Sequence, residues 1–230
     1  MRGPGLGRAT DMFFDQLQGI LLIVGTLFPI VNPIGGSLAF LLLTAEDSTA
    51  ERRLLARQVA INSFLLLILS VLVGTHILSF FGISLPVVQV GGALVVISTG
   101  WTMLTRSDPA ASRDSAHQTA RSDDISGAAF YPLTLPLTVG PGSISVAITL
   151  GANESRQLGA NVLAIFSVAI ASVLIALSVY LCYAYADRMA AAVGPRGMNV
   201  IMRLSAFLLV CIGVQILWNG ASALLKTLII

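Results

Sequence analysis

The chain has 230 residues, of which 56% are hydrophobic and only 10% charged, with mean hydropathy +0.88 and formal net charge +2. Soluble domains average roughly 45–50% apolar and 25% charged residues, so this composition describes an integral membrane protein and excludes a sizeable separate soluble domain. About six spans of ~20 residues with short loops use up the whole length, and neither the small charge nor its distribution offers a basic stripe for nucleic acid.

In chain order, residues 1–11 are rich in Gly and Arg and are expected to form a disordered tail. The first apolar segment lacks a small-residue cleavage site and is therefore expected to be a retained helix rather than a signal peptide. Residues 16–45, 125–153, 157–186 and 204–225 contain no Asp, Glu, Lys or Arg, and neither do residues 58–105. As one helix that last stretch would run ~72 Å, far beyond a bilayer core. It must fold back once, and Phe81-Gly82-Ile83-Ser84-Leu85-Pro86 supplies the turn. The predicted spans are 16–45, 57–80, 86–105, 127–151, 159–186 and 200–226.

Nine arginines (Arg52, Arg53, Arg57, Arg106, Arg113, Arg121, Arg188, Arg196 and Arg203) fall on one side of these spans. Arg2, Arg8, Arg156 and Lys226 fall on the other. The bias in Arg and Lys places the first group in the cytoplasm and both termini in the periplasm. Residues 106–126 mix Ser, Asp, Arg, His and Ala without apolar periodicity, as a flexible linker does. The expected organisation is a tail over 1–11, a three-helix unit over 12–105, a cytoplasmic linker over 106–126 and a second three-helix unit over 127–230.

Two of the spans are interrupted. The first carries Phe28-Pro29-Ile30-Val31-Asn32-Pro33-Ile34-Gly35-Gly36, and the fourth carries Leu135-Pro136-Leu137-Thr138-Val139-Gly140-Pro141-Gly142-Ser143. Proline removes a backbone donor and clashes with the carbonyl four residues earlier. Glycine permits unusual dihedrals and close backbone approach. Broken backbone at membrane depth is tolerated only in protein or around a water-lined cavity, and a matched pair of such interruptions points to a transporter's binding site.

Three spans per half is an odd number, so similar halves would lie inverted. Asn32-Pro33 aligns with Gly140-Pro141, and Ser37 then falls on Ser145. Val87 to Leu104 runs beside Val200 to Leu217, matching Ala93 with Ala206 and Gly100 with Gly213. The expected fold is all-α, with six transmembrane helices as two inverted three-helix repeats and broken first and fourth helices.

Helices restarting near Ile34–Ser37 and Gly142–Ser145 would offer N–H groups with partial positive charge, which suit a carboxylate. Freed carbonyls near Pro29 and Pro136, the Asn32 side chain and the Thr138 hydroxyl could receive an ammonium group. The expected binding residues are Pro29, Asn32, Pro33, Gly35, Gly36, Ser37, Pro136, Thr138, Gly140, Pro141, Gly142 and Ser143. Crowding by glycine favours a small neutral amino acid.

All eleven acidic residues lie at helix ends or in loops, so no carboxylate serves a proton relay inside the bilayer. Coupling would use Na⁺ on carbonyls and hydroxyls, or H⁺ on His76, or be absent. Asn62 is a secondary candidate facing the substrate path. Arg203 and Asp187 form a candidate gating pair, Trp101 and Trp218 suit interfacial anchors, and Ser167 with Ala171 suits close helix packing. Cys182 and Cys211 lie in apolar segments without CxxC or His neighbours, so neither a redox nor a metal role is expected.

Through Pro29-Ile30-Val31-Asn32-Pro33-Ile34-Gly35 and Pro136-Leu137-Thr138-Val139-Gly140-Pro141-Gly142, the chain resembles the MarC family of bacterial inner-membrane proteins. That family includes small neutral amino acid transporters of the SnatA type, and the resemblance covers residues 12–228. It implies six spans in two inverted triplets and export or exchange of substrates like glycine and alanine. A LysE-like exporter of another metabolite and a channel-like pore are the alternatives. An intramembrane enzyme is disfavoured, because the spans hold no HExxH, paired carboxylates or Ser/His arrangement. Cofactor and oligomeric state are not indicated.

Overall fold

The computed structural model describes residues 4–105, 127, 129–157 and 162–228, and all its regular elements are helical. Helix α1 (Pro4–Val31) leads through Asn32 into α2 (Pro33–Leu43). Pro33 occupies the first turn of α2, where an N–H would have no acceptor within that helix. Helix α3 (Thr49–Phe80) starts at a capping box: Ser48 Oγ accepts from the Glu51 N–H at 3.3 Å, and Glu51 Oε2 accepts from the Ser48 N–H at 2.8 Å. The chain reverses at Gly82, whose φ of 67° requires a residue without Cβ. Helix α4 (Leu85–Thr105) follows, and the fold-back thus falls where the length argument placed it.

The second half comprises a loosely wound segment α5 (Ala129–Thr138), then α6 (Pro141–Gln157), α7 (Val162–Ala184) and α8 (Ala186–Leu228), the last broken at Gly194 (φ 72°). The helical start at Pro4 lies inside the segment read as a disordered tail. The 106–126 linker lies outside the described residues.

By length and composition, five helices can cross a membrane: Gln16–Leu43, Thr49–Phe80, Leu85–Thr105, Phe166–Ala184 and Arg196–Thr227. There are six if Ala129–Thr138 and Pro141–Ala152, bent by 68° to each other, count as one span.

Helix α4 lies along α8, and α3 along α7. Helix α2 rests on α7 and α8, as α6 rests on α3 and α4, and α1 touches α7 as α5 touches α3. The α4–α8 seam is tight at two glycines. A Cβ on Gly100 would lie 2.9 Å from the Ala206 carbonyl oxygen, and one on Gly213 would lie 3.3 Å from that of Ala93. In lipid, association comes from close packing rather than from apolar transfer, so small residues at such a seam let backbones meet.

The core centres on Tyr183, Phe40, Ile23, Leu27, Leu67, Ile175 and Val179, all fully buried. Large apolar side chains such as Leu65, Leu69, Leu181 and Phe207 face outward, as expected of helices solvated by acyl chains. Trp101 and Trp218 also face outward, while Ser167 and Ala171 are buried.

Candidate functional site

The first interruption is a single residue. Asn32 sits in the left-handed region (φ 49°, ψ 56°), which Asn enters more readily than most side chains. Its Oδ1 accepts from the Gly35 N–H at 3.1 Å, so the residue that breaks the helix also caps the next one. Helical bonds run past the break on both sides: the Asn32 N–H donates to the Phe28 carbonyl at 2.9 Å, and the Gly36 N–H to the Asn32 carbonyl at 2.8 Å. Pro33 has no N–H, so the Pro29 carbonyl loses its usual helical donor. Ser37 is buried, and its hydroxyl donates to the Ile34 carbonyl at 2.6 Å.

The second interruption is built from a four-residue unit used twice, Tyr131-Pro132-Leu133-Thr134 and Leu135-Pro136-Leu137-Thr138. In each unit the first residue is extended (φ −128°, ψ 122° at Tyr131; φ −107°, ψ 124° at Leu135), and the following X–Pro peptide is cis. The threonine hydroxyls bond back to carbonyls five residues earlier. Thr134 Oγ1 donates to the Ala129 carbonyl and Thr138 Oγ1 to the Leu133 carbonyl, both at 2.7 Å. The Val139 N–H reaches back five residues to the Thr134 carbonyl at 2.9 Å. The sequence reveals the prolines, but only the fold reveals that the threonines bond back to the backbone between them.

One side chain joins the two interruptions. Tyr183 of α7 stacks on Phe40 with ring centroids 4.5 Å apart, and its hydroxyl lies 2.8 Å from Thr138 Oγ1. The single Thr138 proton is engaged by Leu133, so Tyr183 is the donor in that bond. On the other side, a Cβ on Gly36 would lie 2.6 Å from the Tyr183 hydroxyl oxygen, so a glycine there makes room for the tyrosine. Sequence reading missed Tyr183, because an aromatic in a long apolar run carries no mark of its partners.

A cavity of about 110 Å³ adjoins the second interruption. Its wall includes Pro136, Thr138, Gly140, Pro141, Gly142 and Ser143, completed by Ile30, Leu137, Val95, Val96, Thr99 and Leu209. Six of the expected binding residues therefore share one hollow. Pro29, Asn32, Pro33, Gly35, Gly36 and Ser37 do not line it. Ile30 is what the first interruption contributes to the wall, and Gly36 meets the second interruption through Tyr183. A wider, almost wholly apolar groove of about 350 Å³ runs past Val88, Gly91, Gly92, Val95, Pro141, Ile144, Ser145 and Ile148.

Asn62 is half-buried, and its Nδ2 donates to Thr134 Oγ1 at 3.4 Å, a long bond that sets it beside the second interruption. His76 is exposed and lines neither hollow. Buried oxygens of Ser63, Ser172 and Gln58 have no partner among the described residues, and no cluster of His, Cys, Asp or Glu suited to a metal occurs among those residues.

Asp187 does not pair with Arg203, the expected gating partner. It pairs with Arg52 at 2.8 Å. Arg52 is buried, and it also holds the Thr44 carbonyl at 2.8 Å through Nη2 and the Asp47 carbonyl at 3.2 Å. A guanidinium presents five donors in a rigid fork and can serve all these acceptors together, whereas Arg203 points outward. Partial burial, and then the charge of Glu51, raises the Asp47 carboxyl above its ordinary range.

The model of MarC family integral membrane proteins matches residues 17–225. The chain belongs to the MarC family. It is 30% identical over 220 residues to the protein named UPF0056 inner membrane protein MarC in Salmonella typhimurium, covering 93% of this chain and 98% of that one. The same values hold for its namesakes in Salmonella typhi and in Escherichia coli O1:K1. No solved structure matches. Around the two interruptions of this MarC-family chain the side-chain chemistry is neutral: hydroxyls and an amide beside proline and glycine.

Proposed function

We propose that this MarC-family protein is a secondary transporter, exporting or exchanging a small neutral amino acid such as glycine or alanine across a bacterial inner membrane. The observation that carries the reading is the bridge through Tyr183, which sets Gly36 of one interruption and Thr138 of the other against a single buried side chain. Paired helix interruptions at one place are the transporter pattern. The hollow of about 110 Å³ corresponds to roughly three or four waters at ~30 Å³ each. That suits a solute of a few heavy atoms and leaves little space for a long side chain.

The six spans are read as two inverted three-helix units with broken first and fourth spans, both termini periplasmic. Reciprocal packing supports the inversion: exchanging Ala93 with Ala206 and Gly100 with Gly213 turns the contact of Gly100 with Ala206 into that of Gly213 with Ala93. Contacts that swap into each other are the mark of a two-fold relation. Rocking of one unit against the other would expose the hollow to each side in turn. Hydroxyls and carbonyls at the site suit Na⁺ as coupling ion, with H⁺ the other candidate, and no enzymatic role is proposed.

Proteoliposomes loaded with labelled glycine, alanine, leucine and lysine test the proposal. Efflux confined to glycine and alanine, saturable and accelerated by external substrate, is the expected result. Equal efflux of all four would replace the carrier with a pore, and efflux of lysine alone would favour a LysE-like exporter.

A further inference from the structure

Arg53 at the start of α3 and Arg188 at the start of α8 converge on one aromatic ring. Their guanidinium carbons lie 5.8 and 5.4 Å from the centroid of Tyr185, within reach of a cation–π attraction. All three side chains are exposed, and Arg57, one turn beyond Arg53, is exposed as well. Of the nearby acids, Asp187 binds Arg52 and the Glu51 carboxylate caps Ser48, while Glu46 and Asp47 sit in the turn before α3. The only salt bridge among the described residues is that of Arg52 with Asp187, so no carboxylate holds Arg53, Arg57 or Arg188.

What lies beneath the charges decides the kind of ligand. At successive four-residue steps α3 carries Arg53, Arg57, Ile61 and Leu65 on one face, and the two apolar members are each 47% exposed. Helix α7 carries Leu177 and Leu181 at the same spacing, ending at Tyr185, and these too face outward. Arg53 reaching Tyr185 puts the ends of both stripes together, and α3 packs along α7. The surface is therefore cationic and aromatic at one end and aliphatic along its length, which matches a phosphate headgroup followed by acyl chains. A free phosphate would use the first part only.

We infer that Arg53, Tyr185 and Arg188 form a binding site for the headgroup of a phospholipid with net negative charge, whose chains lie along Ile61, Leu65, Leu177 and Leu181. A zwitterionic headgroup is disfavoured, because its amine meets the same arginines. Basic residues near a membrane surface attract anionic lipid by an amount equal to about a fivefold preference each.

The test is native mass spectrometry of the delipidated full-length protein, titrated with equal amounts of phosphatidylglycerol and phosphatidylcholine. Wild-type protein should retain phosphatidylglycerol preferentially. Arg53→Gln with Arg188→Gln should lower that preference roughly 25-fold, and Arg196→Gln, outside the cluster, should leave it intact. Circular dichroism of the double variant separates loss of the site from loss of the fold. Equal retention of the two lipids by wild type, an unchanged preference in a folded double variant, or displacement of the lipid by millimolar glycerol phosphate would each overturn the assignment.

Discussion

The two interruptions solve the same backbone problem differently. At the first, one residue leaves helical geometry, supplies its own cap and lets α2 restart at once, so that Gln16–Leu43 still reads as one span. At the second, two extended residues and paired threonine bonds spread the disruption over ten positions, and the chain turns by 68°. The cavity lies mainly against the second, and the first contributes only Ile30 to its wall. The self-capped break lets the helix resume at once, whereas the longer one leaves a concave surface where prolines and glycines stand beside Thr138 and Ser143. The first arm is also held at its far end, where Arg52 grips the Thr44 carbonyl that closes α2.

If the second interruption is the working surface, filling it should have the largest effect. Gly142 is buried, and a Cβ there would collide with Cγ2 of Val96. Gly142→Leu should reduce proteoliposome efflux at least tenfold and cost roughly 1–3 kcal/mol through overpacking. Gly91→Leu is the control, since Gly91 is exposed with open space around its Cα. Comparable loss in both variants would detach transport from the hollow.

Next comes the anchor of the first arm. Arg52→Gln removes the ion pair with Asp187 and most of the grip on Thr44. A fully buried pair broken in this way costs about 3–5 kcal/mol. The Asp187 side chain is 42% exposed, so water recovers part of the loss, and a cost of about 2 kcal/mol is expected. Thermal unfolding in detergent measures it. A variant as stable as wild type would mean that the first arm is not held from this end.

A smaller effect tests the bridge between the interruptions. Thr138→Val leaves the Tyr183 hydroxyl buried without an acceptor, which costs about 1–2 kcal/mol. Adding Tyr183→Phe should restore the part due to the stranded tyrosine hydroxyl, because removing both partners of a buried hydrogen bond approaches neutrality, while the Leu133 carbonyl stays without its Thr138 donor. A double variant no better than Thr138→Val alone would show that the hydroxyls do not act as a pair.

These contrasts were unevenly legible in the sequence. Charge-free runs and the Pro/Gly clusters locate the spans and interruptions, because proline and glycine act on the backbone locally whatever surrounds them. The bond from Tyr183 to Thr138 and the ion pair of Arg52 with Asp187 join residues far apart in the chain and depend on packing alone. Arg203, the gating partner expected for Asp187, is exposed and takes no part in that ion pair. Similarly, Asn32 reads as an open binding group until the fold shows its oxygen already taken by Gly35.

That last point yields the finest test of the comparison. Asn32→Gly deletes the cap but suits the left-handed dihedrals better, so the two changes nearly offset, and a loss of a few tenths of a kcal/mol is expected. Asn32→Ala deletes the cap and adds left-handed strain, for a loss of about 2 kcal/mol. If the amide serves only the backbone, Asn32→Gly should transport within about twofold of wild type, since the Gly35 N–H it releases is one of the four amides any helix start leaves to other partners. Should Asn32→Gly stay folded yet lose transport, the amide itself would have to meet the solute, and the first interruption would share the chemistry now placed at the second.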